Sequence, residues 1–192
     1  MKIVYIHGAN ATPESFNYIR EHINAEEEIN IKYSSEDGFA HNLETITHTL
    51  KQQKNIFFIA HSLGGIYSLH LANRLPKNIL GAVTISTPYG GVAVADYAKY
   101  FFPFSRLIRD VGPHSKPMIN TSGLSVLHPW TQIVTTKGTS PWIHTENDGV
   151  VTVQSQRYFE DQMNLIELEL NHYEVVMNKK VVEIIKDRLT LN

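Results

Sequence analysis

Ser62 is the residue whose surroundings best suit covalent chemistry. It lies in the run Phe58-Ile59-Ala60-His61-Ser62-Leu63-Gly64-Gly65, where an apolar segment gives way at once to a helical pattern. A serine at such a junction can sit on a sharp strand-to-helix turn, with its hydroxyl raised near a helix N-terminus. Ala60 and Gly64 flank it two residues away on either side, where larger side chains would collide as strand and helix close on each other. A hydroxyl so placed can attack an acyl carbon once a base takes its proton and an acid orients that base. The chain has no cysteine, which excludes thiolate chemistry, disulfides and Cys-based zinc sites. Serine is also favoured as a plain helix N-cap, the structural alternative at this position.

Ten histidines compete for the role of base. His172 follows the alternating run of residues 165–170 by two positions. That puts it at the carboxyl edge shared with Ser62, where chemistry gathers in open α/β sheets. A solvated loop histidine is the alternative. His41, His48, His70 and His114 have no such placement, while His7 and His61 stand beside the expected site. For the acid, Asp148 in Glu146-Asn147-Asp148-Gly149-Val150-Val151 leads, with Glu146 in reserve, although Asp-Gly is also a strong turn dipeptide. An EF-hand reading of this segment fails, because its first position would be His144 and its last Ser155. Neither a His-Glu-x-x-His pair nor a Gly-rich phosphate loop occurs, and His41 and His48 lie too far apart along a helix to share an ion. No metal and no cofactor is expected.

These residues need a scaffold. Residues 3–6 read as a buried strand, and Thr12 as N-cap with Pro13 in the first helical position marks a helix after it. Residues 29–33 alternate apolar and polar, like a half-buried edge strand. Phe39, Leu43, Ile46 and Leu50 form one helical stripe. Residues 56–60 are apolar throughout, as in a central parallel strand covered on both faces. Ile66, Leu69 and Leu75 mark a helix that Pro76 closes, and residues 80–85, 132–136 and 165–170 read as further strands. A helix is expected around residues 154–162, and a last one carries Val181, Ile184, Ile185 and Leu189. Strands alternating with helices predict an α/β fold of about six mostly parallel strands flanked by helices.

Between residues 88 and 130 this rhythm stops. The stretch holds Pro103, Pro113, Pro117 and Pro129 and no clear strand, which predicts an inserted cap or lid. Its middle offers Tyr97, Tyr100, Phe101, Phe102, Phe104, Leu107 and Ile108 beside Lys99, Arg106 and Arg109. Such a mixture suits a lid over an acyl pocket, a membrane-surface segment, or packing against the body. Pro103 is expected to interrupt any long helix there.

Ala60-His61-Ser62-Leu63-Gly64-Gly65 resembles the nucleophile elbow of the α/β-hydrolases, in the Ala-x-Ser-x-Gly form of small bacterial lipases and esterases. The alanine departs from the commoner glycine. Val4-Tyr5-Ile6-His7-Gly8-Ala9-Asn10 is similar to the family's His-Gly turn, and Asn171-His172-Tyr173-Glu174 to its last-strand histidine loop. The Asn147-Asp148-Gly149-Val150-Val151 segment and Thr87-Pro88-Tyr89-Gly90-Gly91 also resemble family segments, the second near the acyl site. The resemblance implies Ser62 as nucleophile, His172 as base and Asp148 as orienting acid, in that fold's Ser, Asp, His order. It further implies the backbone N–H groups of Ala9 and Leu63 as oxyanion donors. His7, His61, Tyr89, Phe101 and Phe102 are the expected substrate contacts. The implied activity is cleavage of carboxylic esters through an acyl-enzyme. Thioester hydrolysis and acyl transfer use the same machinery, and a catalytically idle binding module is the rival of a different class.

Composition sets the outer bounds. The chain has 192 residues, enough for one core, and a single domain spanning all of it is expected. Its 42% hydrophobic and 19% charged residues are ordinary for a globular protein. A net charge of −2 offers no basic field for nucleic acid. No apolar run approaches the ~20 residues of a membrane span. The first strand-like run begins at once, with no secretory leader before it, so a cytoplasmic location is expected. The expected partner is a small-molecule or lipid-like ester, with transient contact to a membrane surface left open for the cap.

Overall fold

The structure, a computed structural model, describes residues 1–102 and 104–191. The apolar runs become six strands: β1 (Lys2–Ile6), β2 (Glu28–Ile31), β3 (Ile56–His61), β4 (Ile79–Ile85), β5 (Trp130–Thr135) and β6 (Asn164–Leu168). They form one open sheet in the order β2-β1-β3-β4-β5-β6. Every neighbouring pair is parallel, so the expectation of a mostly parallel sheet sharpens to a wholly parallel one. Parallel neighbours require crossovers, and helices supply them. These are α1 (Asn17–Ile23), α2 (Phe39–Leu50), α3 (Leu63–Arg74), α4 (Ala93–Ala98), α5 (Arg106–Val111), α6 (Lys116–Ser122), α7 (Val153–Gln156) and α8 (Lys179–Thr190).

The two-residue period of a strand divides the core into two layers. Val4, Ile6, Phe58 and Ala60 pack with Leu43 and Ile46 of α2 and Ile66 of α3. Ile3, Tyr5, Phe57 and Ile59 pack on the other face with Ile19 of α1 and Val181 and Ile185 of α8. Local departures from expectation are small. Pro13 opens a 3-10 turn rather than α1 itself, and the Thr12 side chain makes no cap hydrogen bond. The helix expected around residues 154–162 shortens to α7, after which Phe159 and Met163 turn into the core.

Two features of this frame position the site. Strand order reverses between β1 and β3, because the chain moves from β1 outward to β2 and then returns to β1's other side. A crevice therefore opens at the carboxyl ends of these two strands, in register through Ile6 opposite Ala60. Gly64 lets α3 start close against β1, since a Cβ there would meet the Ile6 carbonyl oxygen at 2.0 Å.

Among the described residues, the stretch 88–130 carries the short helices α4, α5 and α6 and no strand before β5. The helix α5 is fastened to the turn that precedes α2. Glu36 accepts from the Ser105 hydroxyl at 2.8 Å and the Arg106 N–H at 2.9 Å, and Asp110 accepts from the Phe39 N–H at 2.7 Å. The neighbouring rings of Tyr97, Tyr100, Phe101, Phe102 and Phe104 face solvent. Pro103, expected to interrupt a long helix, lies outside the described residues. Among the described residues no helix is long and apolar enough to cross a membrane.

Candidate active site

Ser62 sits between β3 and α3 with φ 52° and ψ −122°, backbone angles that L residues rarely adopt. This turn lifts the side chain away from the helix it precedes. The hydroxyl makes no N-cap hydrogen bond to α3, which removes the plain N-cap alternative. It lies 3.1 Å from Nε2 of His172 instead. The other ring nitrogen, Nδ1, is 2.7 Å from Oδ2 of Asp148. An ionised carboxylate only accepts, so Nδ1 carries the ring hydrogen and Nε2 is free to receive the Ser62 proton.

Each partner is held from behind. The His172 N–H donates to the Asp148 carbonyl at 3.0 Å, which ties the loop after β6 to the loop after β5. Asp148 is 1% exposed. Its Oδ1 accepts from the N–H groups of Val150 and Val151, at 3.0 and 2.8 Å. Its Oδ2 also accepts from the Thr135 hydroxyl at 2.6 Å and Gln156 Nε2 at 3.3 Å. Burial alone would raise the carboxyl. The hydrogen bond and charge of His172, with the Thr135 and Val151 donors, outweigh it and hold Asp148 below the usual aspartate value.

Two further histidines crowd the centre. His61 donates from Nε2 to the His172 carbonyl at 3.0 Å, with the two rings 4.8 Å apart. Burial first, and then the nearby His172, push its pKa down to about 3, so it stays neutral at ordinary pH. His7 is buried behind the Gly8 turn, stacked on Tyr33 at 4.3 Å, with Nδ1 donating to the Gly8 carbonyl at 2.8 Å. Burial lowers its pKa as well, and its Nε2 has no hydrogen-bond partner among the described residues.

The backbone N–H groups of Ala9 and Leu63 have no hydrogen-bond partner among the described residues. Leu63 opens α3, where the first N–H groups of any helix lack an intrahelical acceptor. Both residues border a cavity of about 470 Å³ that also reaches Ser62, His61 and His172. Its far wall is aliphatic and comes from residues 88–130: Val92, Ala95 and Ala98 from in and around α4, with Leu107, Ile108 and Val111 from α5. Among the described residues, no group of three or more histidine or carboxylate side chains could hold a metal ion.

The structure thus brings Ser62, His172, Asp148, Ala9, Leu63 and His61 together, and leaves four other expected contacts outside. His7 lies behind the turn rather than on the cavity wall. Tyr89 is buried, donating to Thr84 Oγ1 at 3.0 Å and accepting from Trp130 Nε1 at 3.0 Å. Phe101 and Phe102 are 81% and 61% exposed and do not border the cavity. The aliphatic wall of α4 is what sequence reasoning passed over, because small aliphatic residues in a short helix carry no distinguishing pattern.

No protein-family model matches the sequence, and a search of curated proteins finds no match. Solved structures do match over nearly the whole chain. A lipase-esterase related protein from Clostridium acetobutylicum is 17% identical, with 97% of this chain and 93% of that one covered and a TM-score of 0.66. The mature form of a Bacillus licheniformis lipase is 16% identical, covering 98% of this chain and 91% of its own, with a TM-score of 0.71. A monoacylglycerol lipase from Paleococcus ferrophilus is 14% identical, covering 98% and 91%, with a TM-score of 0.64.

Proposed function

We propose that this chain, which has the α/β-hydrolase fold, is a serine hydrolase that cleaves carboxylic esters. The observation that carries the proposal is the unbroken hydrogen-bond chain Ser62–His172–Asp148, whose serine shares a cavity with Ala9 and Leu63, two residues with unpartnered backbone N–H groups.

In this reading Ser62 Oγ attacks the ester carbonyl carbon while its proton passes to His172 Nε2. The carbonyl oxygen becomes an oxyanion, and the N–H groups of Ala9 and Leu63 donate to it. Collapse of the tetrahedral species breaks the bond to the alkoxide, which leaves with the proton from His172. The acyl group remains on Ser62. Water then attacks as His172 takes its proton, the carboxylic acid departs, and Ser62 recovers its hydrogen. Asp148 keeps the imidazole in the tautomer each step needs and faces the positive charge that forms on it. Residues 88–130 act as a cap whose aliphatic wall receives the acyl chain, a role the lining of the cavity supports.

A fluorophosphonate probe tests the proposal directly, because it labels only a serine that its own site has activated. The native protein should label and Ser62→Ala should not. A native protein that neither labels nor turns over a short-chain nitrophenyl ester overturns the reading in favour of an idle binding module.

A further inference from the structure

A second row of hydroxyls stands behind Asp148. Thr135, the last residue of β5, places its Oγ1 2.6 Å from Asp148 Oδ2. Ser86, the residue after β4, places its Oγ 2.7 Å from Thr135 Oγ1. Both side chains are fully buried. A threonine hydroxyl has one hydrogen, and a carboxylate can only accept, so Thr135 spends that hydrogen on Asp148. The Ser86 contact must then be donated by Ser86. Donation therefore converges on Asp148 Oδ2 from both sides, from Ser86 through Thr135 on one and from Ser62 through His172 on the other.

The backbone is arranged to hold this direction. Ser86 has φ 51°, the left-handed region, and its N–H donates to the Ile133 carbonyl at 2.9 Å on the neighbouring strand. Thr135 is pinned by the amide of Gln156: its N–H donates to Oε1 at 2.9 Å and its carbonyl accepts from Nε2 at 3.0 Å. That paired grip fixes which end of the Gln156 amide carries the donors, and the same Nε2 reaches Asp148 Oδ2 at 3.3 Å.

We infer that Thr135 is a positioning residue for the hydrolase reaction, with Ser86 as its anchor, aiming and polarising the Asp148 carboxylate toward His172. The inference rests on the proposed serine hydrolase function. By saturating Oδ2 the relay keeps negative charge on Asp148 while limiting how far it can draw the Nδ1 proton of His172. Loss of the Thr135 hydroxyl leaves Oδ2 one donor short and so a stronger acceptor for the Nδ1–H of His172, while Val150, Val151 and Gln156 still hold the carboxylate.

The test compares Thr135→Val, of nearly the same shape, with Thr135→Ser, which keeps the hydroxyl, and with Ser86→Ala. In Thr135→Val, kcat on a short-chain ester should fall about tenfold with KM unchanged, the size of one hydrogen bond to a charged group. Thr135→Ser should restore most of it, and Ser86→Ala should fall between. The second readout needs no turnover: the His172 Nδ1–H proton, observed by NMR, should move downfield in Thr135→Val and return in Thr135→Ser. A purely structural threonine would lower the melting temperature and leave that resonance in place. A folded Thr135→Val variant with an unmoved resonance overturns the relay, whatever the catalytic rate. A moved resonance in a protein whose native form hydrolyses no ester upholds the relay and removes the hydrolase reading instead.

Discussion

His61, the residue before Ser62, donates a hydrogen bond at 3.0 Å to the backbone carbonyl of His172. The residue next to Ser62 thus holds the loop that carries His172, so the spacing between Ser62 and His172 is set by more than their own contact. His61→Leu should keep the fold but lower kcat about tenfold by freeing that loop, while His61→Gln, which offers an N–H at a similar reach, should stay nearer to native. Equal rates for the two variants would show that the tether does not matter.

The backbone angles of Ser62 lead to a separation of stability from activity. Non-glycine residues held in such regions cost on the order of 1–3 kcal/mol. Both Ser62→Ala and Ser62→Gly should lower ester turnover by roughly 10⁴ to 10⁶. Ser62→Gly should nevertheless be the more stable of the two by about 1 kcal/mol, because glycine enters the turn without strain. Denaturant midpoints decide this, and equal midpoints would mean the turn carries no strain.

Chain-length preference should respond to the wall and not to the exposed rings. Ala95→Phe or Ala98→Phe projects bulk into the cavity and should depress long-chain esters far more than an acetyl ester. Each methylene denied burial forfeits about 0.8 kcal/mol. Replacing Phe101, Phe102 and Phe104 together by Ser should leave the ratio of long-chain to short-chain rates on dissolved substrates nearly unchanged, since all three rings face solvent. A large change in that ratio for the triple variant would bring the rings back into the acyl path.

Acid should weaken the fold through buried neutral histidines. Burial first, and then nearby Arg74, push His70 down to about 4, away from its ordinary value near 6.5. The unfolded chain therefore takes up a proton that the folded chain refuses over this window. The contribution is fully present above about pH 6.5 and is lost as pH falls toward about 4, amounting to roughly 1–3 kcal/mol. His70→Gln keeps a donor for Thr121 but cannot titrate, so urea unfolding of this variant should show a shallower loss between pH 6.5 and 4. An identical slope would assign the acid sensitivity elsewhere.

Much of the fold is legible in the sequence, and the reason is local. A strand covered on both faces must be apolar at every position, so residues 56–60 announce β3 without help, and the crossovers follow from the helical stripes between such runs. The meeting of Ser62 with His172 is legible because small neighbours mark the turn and because His172 follows a strand directly. Asp148 comes through less sharply, by its place between a strand and a helix and by resemblance, since an Asp-Gly pair alone reads as a turn. Thr135 is invisible, because a β-branched residue closing a strand is what strand propensity would place there in any case. The segment of residues 88–130 misleads in a specific way. Its aromatic rings attract notice, yet Glu36 and Asp110 fasten α5 so that Leu107, Ile108 and Val111 meet the cavity and the rings do not.

Ser62 and His172 are separated by 110 residues along the chain, and Asp148 precedes His172 by 24. The Ser62–His172 contact therefore closes a very long loop and can form only after β6 has docked beside β5, at the far edge of the sheet from β2. Non-local parallel pairing is the slow part of folding such a chain. During refolding, helical signal and burial of the central strands should return first, and probe labelling at Ser62 should lag behind both, so that Ser62 doubles as a clock for the last strand's arrival.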